Sequence, residues 1–259
     1  MRLLVIGPAL LFLPCVAAGA RSQPRGDESL AVDAYVRAGV PSPDRPWTGV
    51  DYQQASAALI SVAKTDPRHL PRFRSARSGA VFAKITAPEN FVSMSEASSA
   101  ASIRLPDLLR AIEGLRTIQI LYFNAPFTSV DLRDEMIELM AVSLEADLDV
   151  FAVMPSFLES LPPGERATPA RTAGLQQAEK GLQQQVAGTV VSLRDPSFTP
   201  EMRARLASHL ARLLPRTKPH LPPSQWLEVQ VSVAKASEST GTELGSALEV
   251  LSRVIGRAD

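Results

Sequence analysis

The chain has 259 residues, 45% of them apolar, and its 27 basic residues balance 27 acidic ones. A neutral balance excludes the electrostatic footprint of a nucleic-acid or anionic-membrane binder, and this apolar share excludes wholesale disorder in favour of a globular core. A single cysteine, Cys15, excludes an intrachain disulfide.

Met1 and Arg2 precede an apolar run from Leu3 to Leu13, and Ala18-Gly19-Ala20 supplies a small-x-small cleavage site. This is the pattern of a secretory signal peptide over residues 1–20. The uncharged stretch Leu3–Ala20 approaches the length of a membrane span, but Pro8 and Pro14 interrupt it. Lipid anchoring at Cys15 is the minor alternative, because Phe12-Leu13-Pro14 is not the small-residue approach that lipidated cysteines have. Cleavage after Ala20 removes Arg2 and Cys15, which leaves 26 basic against 27 acidic residues and no thiol. The expected product is an exported protein, periplasmic or extracellular, with no membrane span in the mature chain.

Residues 21–46 carry Pro24, Gly26, Gly39, Pro41, Pro43 and Pro46 and read as a flexible or draped arm with one short helix around Leu30–Arg37. A single helical domain is expected over residues 47–259. Ala55, Leu59, Val62 and Ala63 recur at helical spacing over Asp51–Lys64, and Asp66-Pro67 ends that helix. Residues 68–90 look irregular, and the apolar run Ala80–Ile85 is too short for periodicity to decide between strand and helical turn. A Ser- and Ala-rich piece leads into Leu105–Leu115 and then Arg116–Phe123, where Tyr122 and Phe123 are expected to reach the core. The longest helix is expected to start at Thr128 or Ser129, with a hydroxyl cap and Asp131 favouring the dipole, and to stop at Met154 before Pro155. Thr168-Pro169 opens a helix to Leu193, Thr199-Pro200 one to Leu214, and Pro222-Pro223 another. Thr240 with Glu243 resembles a capping box for the last. The fold class that follows is an all-α, irregular multi-helix bundle of about seven or eight helices.

Three helix faces stand out. On the long helix, Asp131, Asp134, Glu135, Glu138, Glu145 and Asp149 form an acidic stripe, and apolar residues cover most of the remaining girth. Asp147 breaks that rule on the apolar side, where it requires a partner or a raised pKa; an internal ion pair or hydrogen bond is the expectation over a catalytic role. The Thr199 helix carries a basic ridge, Arg205, His209, Arg212 and Arg216, and a second basic cluster gathers Arg68, His69, Arg72, Arg74 and Arg77. The acidic stripe offers either of them an intramolecular counterpart, with anion or partner binding as the secondary reading. The Thr168 helix repeats Gly-Leu-Gln-Gln at Gly174 and Gly181, with a looser echo at Gly188. Glycine in a helix interior costs about 1 kcal/mol against alanine, so these positions suggest close packing against a neighbouring helix, or a groove for a partner or a second copy.

Motifs for chemistry are sparse. His69, His209 and His220 do not have zinc-ligand spacing, no glycine-rich loop joins a strand to a helix, and Ser78-Gly79 lacks the flanks of a nucleophile elbow. With Trp47 and Trp226 as the whole tryptophan complement, a sugar-stacking cleft is poorly supplied. No catalytic residue, metal or cofactor is assigned. The expected function is binding to another exported protein, as an adaptor, inhibitor or immunity-like partner. A hydrolase with a scattered site, tested first at Asp147 and His209, and a structural envelope component are the alternatives.

Overall fold

A computed structural model describes residues 35, 37–76, 78–124, 131–237 and 242–257. The expected signal peptide with Cys15, most of the arm, Arg77, and the caps proposed at Thr128, Ser129 and Thr240 lie outside the described residues. The described chain is all-helical: α1 (Gly49–Thr65), α2 (Gly79–Ile85), α3 (Pro88–Ser95), α4 (Ala101–Asn124), α5 (Arg133–Glu159), a single turn Pro163–Arg166, α6 (Pro169–Ser192), α7 (Pro200–Thr217), α8 (Pro223–Ser237) and α9 (Thr242–Arg257). Among the described residues, no helix is long and apolar enough to cross a membrane.

Local chemistry sets three of the helix starts. Thr48 and Asp51 form a reciprocal capping box at the start of α1. The Thr168 and Thr199 hydroxyls accept from the backbone N–H of Arg171 and Met202, with proline in the first turn of each helix. The run Ala80–Ile85 resolves as the helix α2.

Three expectations need correction. Leu105–Leu115 and Arg116–Phe123 belong to one helix, with Pro106 inside its second turn. The long helix starts at Arg133 rather than Thr128 or Ser129, and the Asp131 carboxylate accepts from the Arg133 N–H there. It also runs through Pro155 to Glu159, as α7 runs through Pro215 to Thr217. A proline near a helix end deletes one backbone donor, and here the turns on either side persist.

α5 is the axis of the molecule. Every residue from Leu139 to Val150 is buried, because the helix separates two cores and belongs to both. Leu139, Val142, Ala146, Val150 and Val153 face an N-terminal core with α1–α4. Ile137, Leu144 and Leu148 face a C-terminal core with α6–α9. Fully burying a large apolar side chain is worth about 1.5–3 kcal/mol, so the crossing of these faces on one rod couples the halves.

The described part of the arm is anchored on the N-terminal core. The Tyr35 hydroxyl donates to the His69 carbonyl, Trp47 is buried with its backbone N–H donating to Asn90, and Arg45 forks onto Asp51 at 2.6 and 2.7 Å. α1 and α4 approach closely at two glycines. A Cβ at Gly49 would stand 2.3 Å from the Asp107 carbonyl oxygen, and one at Gly114 would stand 2.6 Å from the Tyr52 backbone.

Candidate functional site

The acidic stripe of α5 meets the basic ridge of α7. Asp134 pairs with Arg205, Glu138 with Arg205 at 3.2 Å and His209 at 3.0 Å, Glu145 with Arg212 at 2.8 Å, and Asp149 with Arg216 at 2.6 Å. Residue numbers rise together along both helices, so α5 and α7 run parallel at this seam. Glu145 and Asp149 are buried and Glu138 is partly buried, whereas the Arg212 side chain is 50% exposed and that of Arg216 is 42% exposed. The acids thus sit in the seam while Arg212 and Arg216 lie half-exposed across it. Arg205 also lies over the Phe73 ring, 4.9 Å from its centroid.

The second basic cluster is held in the same manner. Arg68 pairs with Asp66, Arg72 with the buried Glu135 at 3.1 Å, and Arg74 with Glu201. The described arginines of both clusters therefore serve as counter-charges to the chain's own acids.

Asp147 is fixed separately. Arg116, on α4, donates to both of its oxygens at 3.1 and 3.2 Å. The Gln185 amide of α6, oriented by its hydrogen-bonding pattern, donates to Oδ2 and accepts from the Leu144 N–H. Burial pushes the Asp147 pKa up, and Arg116 pulls against it. Asp147 lies nine residues beyond Glu138 on α5, which is about half a turn around the helix and roughly 13 Å along it. His209, held by Glu138, and Asp147 are thus on opposite sides of the axis and do not share a site.

His209 does open onto a shallow groove of about 540 Å³ between α7 and α9, with Glu201, Ser208 and Ser246 on its walls. The His220 ring packs on Phe151 at 4.6 Å. Among the described residues, no group of three His, Cys, Asp or Glu side chains could hold a metal ion.

The glycine heptad lies on α6, whose two halves differ. Leu182, Val186, Thr189, Val190 and Ser192 are buried, and no residue from Pro169 to Gly181 is. Gly174, Gly181 and Gly188 are all half-buried. The close helix packing expected at the heptad is not found at Gly181, because a Cβ built there meets nothing within 4 Å. The close approaches are instead at Gly49 and Gly114. They carry no periodic signal, and sequence reasoning missed them.

Sequence reasoning also missed Arg116 as the partner of Asp147 and Glu138 as the partner of His209. For the latter a signal existed: the spacing of Asp134, Glu138, Glu145 and Asp149 places them along one side of the helix, as the spacing of Arg205, His209, Arg212 and Arg216 does. No protein family, no curated protein sequence and no solved structure matches the chain.

Proposed function

We propose that the chain is an exported protein that acts by binding another exported protein, and that the first half of α6 is its recognition element. The observation that supports this reading is Gly181. It sits in a helix interior, where glycine costs about 1 kcal/mol against alanine, and among the described residues nothing comes within 4 Å of a Cβ built there to offset that cost. A partner helix seated on the face of Gly174 and Gly181 would supply the missing close approach. Leu175, half-buried beside them, and Leu182, buried one turn further on, would extend the contact toward the bundle. The paired charges of the α5–α7 seam favour a neutral or amphipathic partner over a polyanion, since their arginines already face carboxylates.

The test compares capture from the native cell envelope by the tagged chain and by its Gly181→Leu variant, with thermal melting to monitor the fold. A stoichiometric partner bound by the parent and lost by the variant, at a melting temperature no lower than the parent's, supports the reading. Equal capture by both, or no stoichiometric partner for either, overturns it. A dimer of the chain itself that Gly181→Leu dissolves would replace the exported partner with a second copy and favour a structural envelope role.

A further inference from the structure

α8 packs Trp226, Val229, Val233 and Ala236 into the C-terminal core. Its opposite face carries a second apolar stripe that nothing among the described residues covers. At about 100° per residue, Pro223, Leu227, Val231 and Ala234 fall within roughly 80° of arc. All four are exposed, Leu227 by 58% and Val231 by 43%. A surface helix of a globular domain ordinarily has one apolar face and turns polar side chains to water on the other, and α8 departs from that pattern.

The charges beside the stripe select its occupant. Glu228 and Lys235 lie on one flank, next to Val231, about 20° apart around the helix and about 10 Å apart along it. Both are exposed, and neither joins an ion pair among the described residues, whereas the α5–α7 seam pairs its acids with arginines. The midpoint between them falls beside Val231, near the centre of the stripe. A two-fold contact sets residue i against j and j against i, so one acid and one base placed evenly about a midpoint are complementary to their own copy. Two copies of a helix crossing antiparallel bring like flank to like flank. A parallel crossing would instead set Glu228 and Lys235 against the other flank, where Gln230 and Ser237 are uncharged.

We propose that α8 is the face through which two copies of this chain form a weak antiparallel dimer. The two-fold axis passes beside Val231, Glu228 faces Lys235 of the partner subunit, and Lys235 faces Glu228 of the partner subunit. Leu227 lies against Ala234 of the partner subunit, a large side chain beside a small one, which lets the helices approach closely. One helix face buries less than the roughly 800 Å² per partner of a standard interface, so the dissociation constant is expected in the range of about 10 to 100 µM. The contact does not involve Gly174 or Gly181 and does not rest on the reading of α6.

Sedimentation equilibrium of the purified chain over roughly 5 to 500 µM at neutral pH and low salt tests this. The parent chain is expected to pass from monomer to dimer across that range. Glu228→Lys and Lys235→Glu each set like charges together twice per dimer, and each should weaken association about tenfold. An equimolar mixture of the two variants regains both contacts between opposite charges and should associate as a heterodimer about as tightly as the parent. Misfolding cannot produce that rescue. Leu227→Ser, at an exposed position, should also weaken association about tenfold. A parent that stays monomeric at the highest concentration, association that the charge reversals or Leu227→Ser leave unchanged, or a mixture no tighter than its components overturns the proposal. A dimer dissolved by Gly181→Leu and untouched by the charge reversals overturns it too and moves the contact to α6, so the two readings fail separately.

Discussion

The two cores on either side of α5 are closed by different chemistry. The N-terminal core is aromatic, with Trp47 edge-on to Tyr52 at 5.4 Å and Phe82 against Tyr122 at 5.8 Å. Its rings are tied by neutral hydrogen bonds: the Tyr52 hydroxyl donates to the Ile85 carbonyl, Asn90 donates back to Tyr52, and the Tyr122 hydroxyl donates to the Pro71 carbonyl, while the ion pairs Arg45–Asp51, Arg72–Glu135 and Arg116–Asp147 lie at its margins. The C-terminal core is made largely of Leu, Val and Ala, with Phe198 and Trp226, and the ion pairs of α5 and α7 close one side of it. Rings and neutral hydrogen bonds fix one geometry and respond little to salt. Half-exposed arginines tolerate adjustment and are screened. The rigid half thus serves as a base, and the half that presents an unpacked helix is the one held by adjustable contacts.

The largest expected effect breaks the rigid half. Gly114→Ala places a methyl group 2.6 Å from the Tyr52 backbone, in the α1–α4 crossing. Backbone cannot swing aside as a side chain can, so the cost should reach about 3 kcal/mol, the upper range for overpacking. Urea denaturation measures it, and a loss below about 1 kcal/mol would show that the two helices can slide apart cheaply.

Arg116→Ala ranks next. It strips Asp147 of its cation, and breaking a buried pair costs about 3–5 kcal/mol. The Arg116 side chain is 35% exposed, which lowers the expectation to about 2 kcal/mol. The pH dependence follows with a definite sign. Burial raises the Asp147 pKa from 3.8, so above that value the folded chain still holds a proton that the unfolded chain has released. Stability from this group is therefore greatest in acid and falls as pH rises through the window up to its folded pKa. For Asp51, burial is outweighed by Arg45 and Thr48, and its folded pKa is lowered; its contribution is lost as pH falls through that folded value. As pH rises above 3.8, Asp147→Asn should gain on the parent chain, whereas the deficit of Asp51→Asn should hold there and close only as pH falls below 3.8, read from urea midpoints at each pH. Parallel curves for the two variants would contradict the contrast.

Much of this architecture is legible in the chain, and the reasons for the remainder are physical. The Thr-Pro pairs at 168 and 199 mark helix starts because a hydroxyl cap and a proline in the first turn act locally. The facing stripes of α5 and α7 are legible because helical spacing alone aligns Asp134, Glu138, Glu145 and Asp149. Whether a proline stops a helix depends on what its turns pack against, so Pro155 and Pro215 mislead. Arg116 and Asp147 are brought together by the packing of α4 on α5, and Gly49 and Gly114 matter only because two helices cross there. Such contacts leave no periodic trace. The heptad glycines do leave one, yet at Gly181 the space beside the helix is open.

That open space gives a stabilising prediction. Gly181→Ala should raise stability by about 0.5–1 kcal/mol, because the methyl group meets nothing and the unfolded chain loses freedom. The same chemical change at Gly114 has the opposite sign, and thermal melts of the two variants side by side measure the contrast. If both variants were destabilised, α6 would have to pack more closely than its surroundings indicate.

The smallest effect sharpens the comparison at the charged seam. Arg212 is half-exposed and Glu145 is buried against it, but Arg216 lies 3.9 Å from the same carboxylate. Removing Arg212 therefore leaves Glu145 a second cation within reach of a rotamer change. Arg212→Ala should cost no more than about 0.5 kcal/mol in dilute salt, and that cost should vanish near 1 M salt, where the screening length is about 3 Å. Urea midpoints at the two salt concentrations measure it. A cost that persists in high salt would mean that Arg212 is fixed as firmly as Arg116, and the distinction between an adjustable seam and a rigid base would fail at that rung.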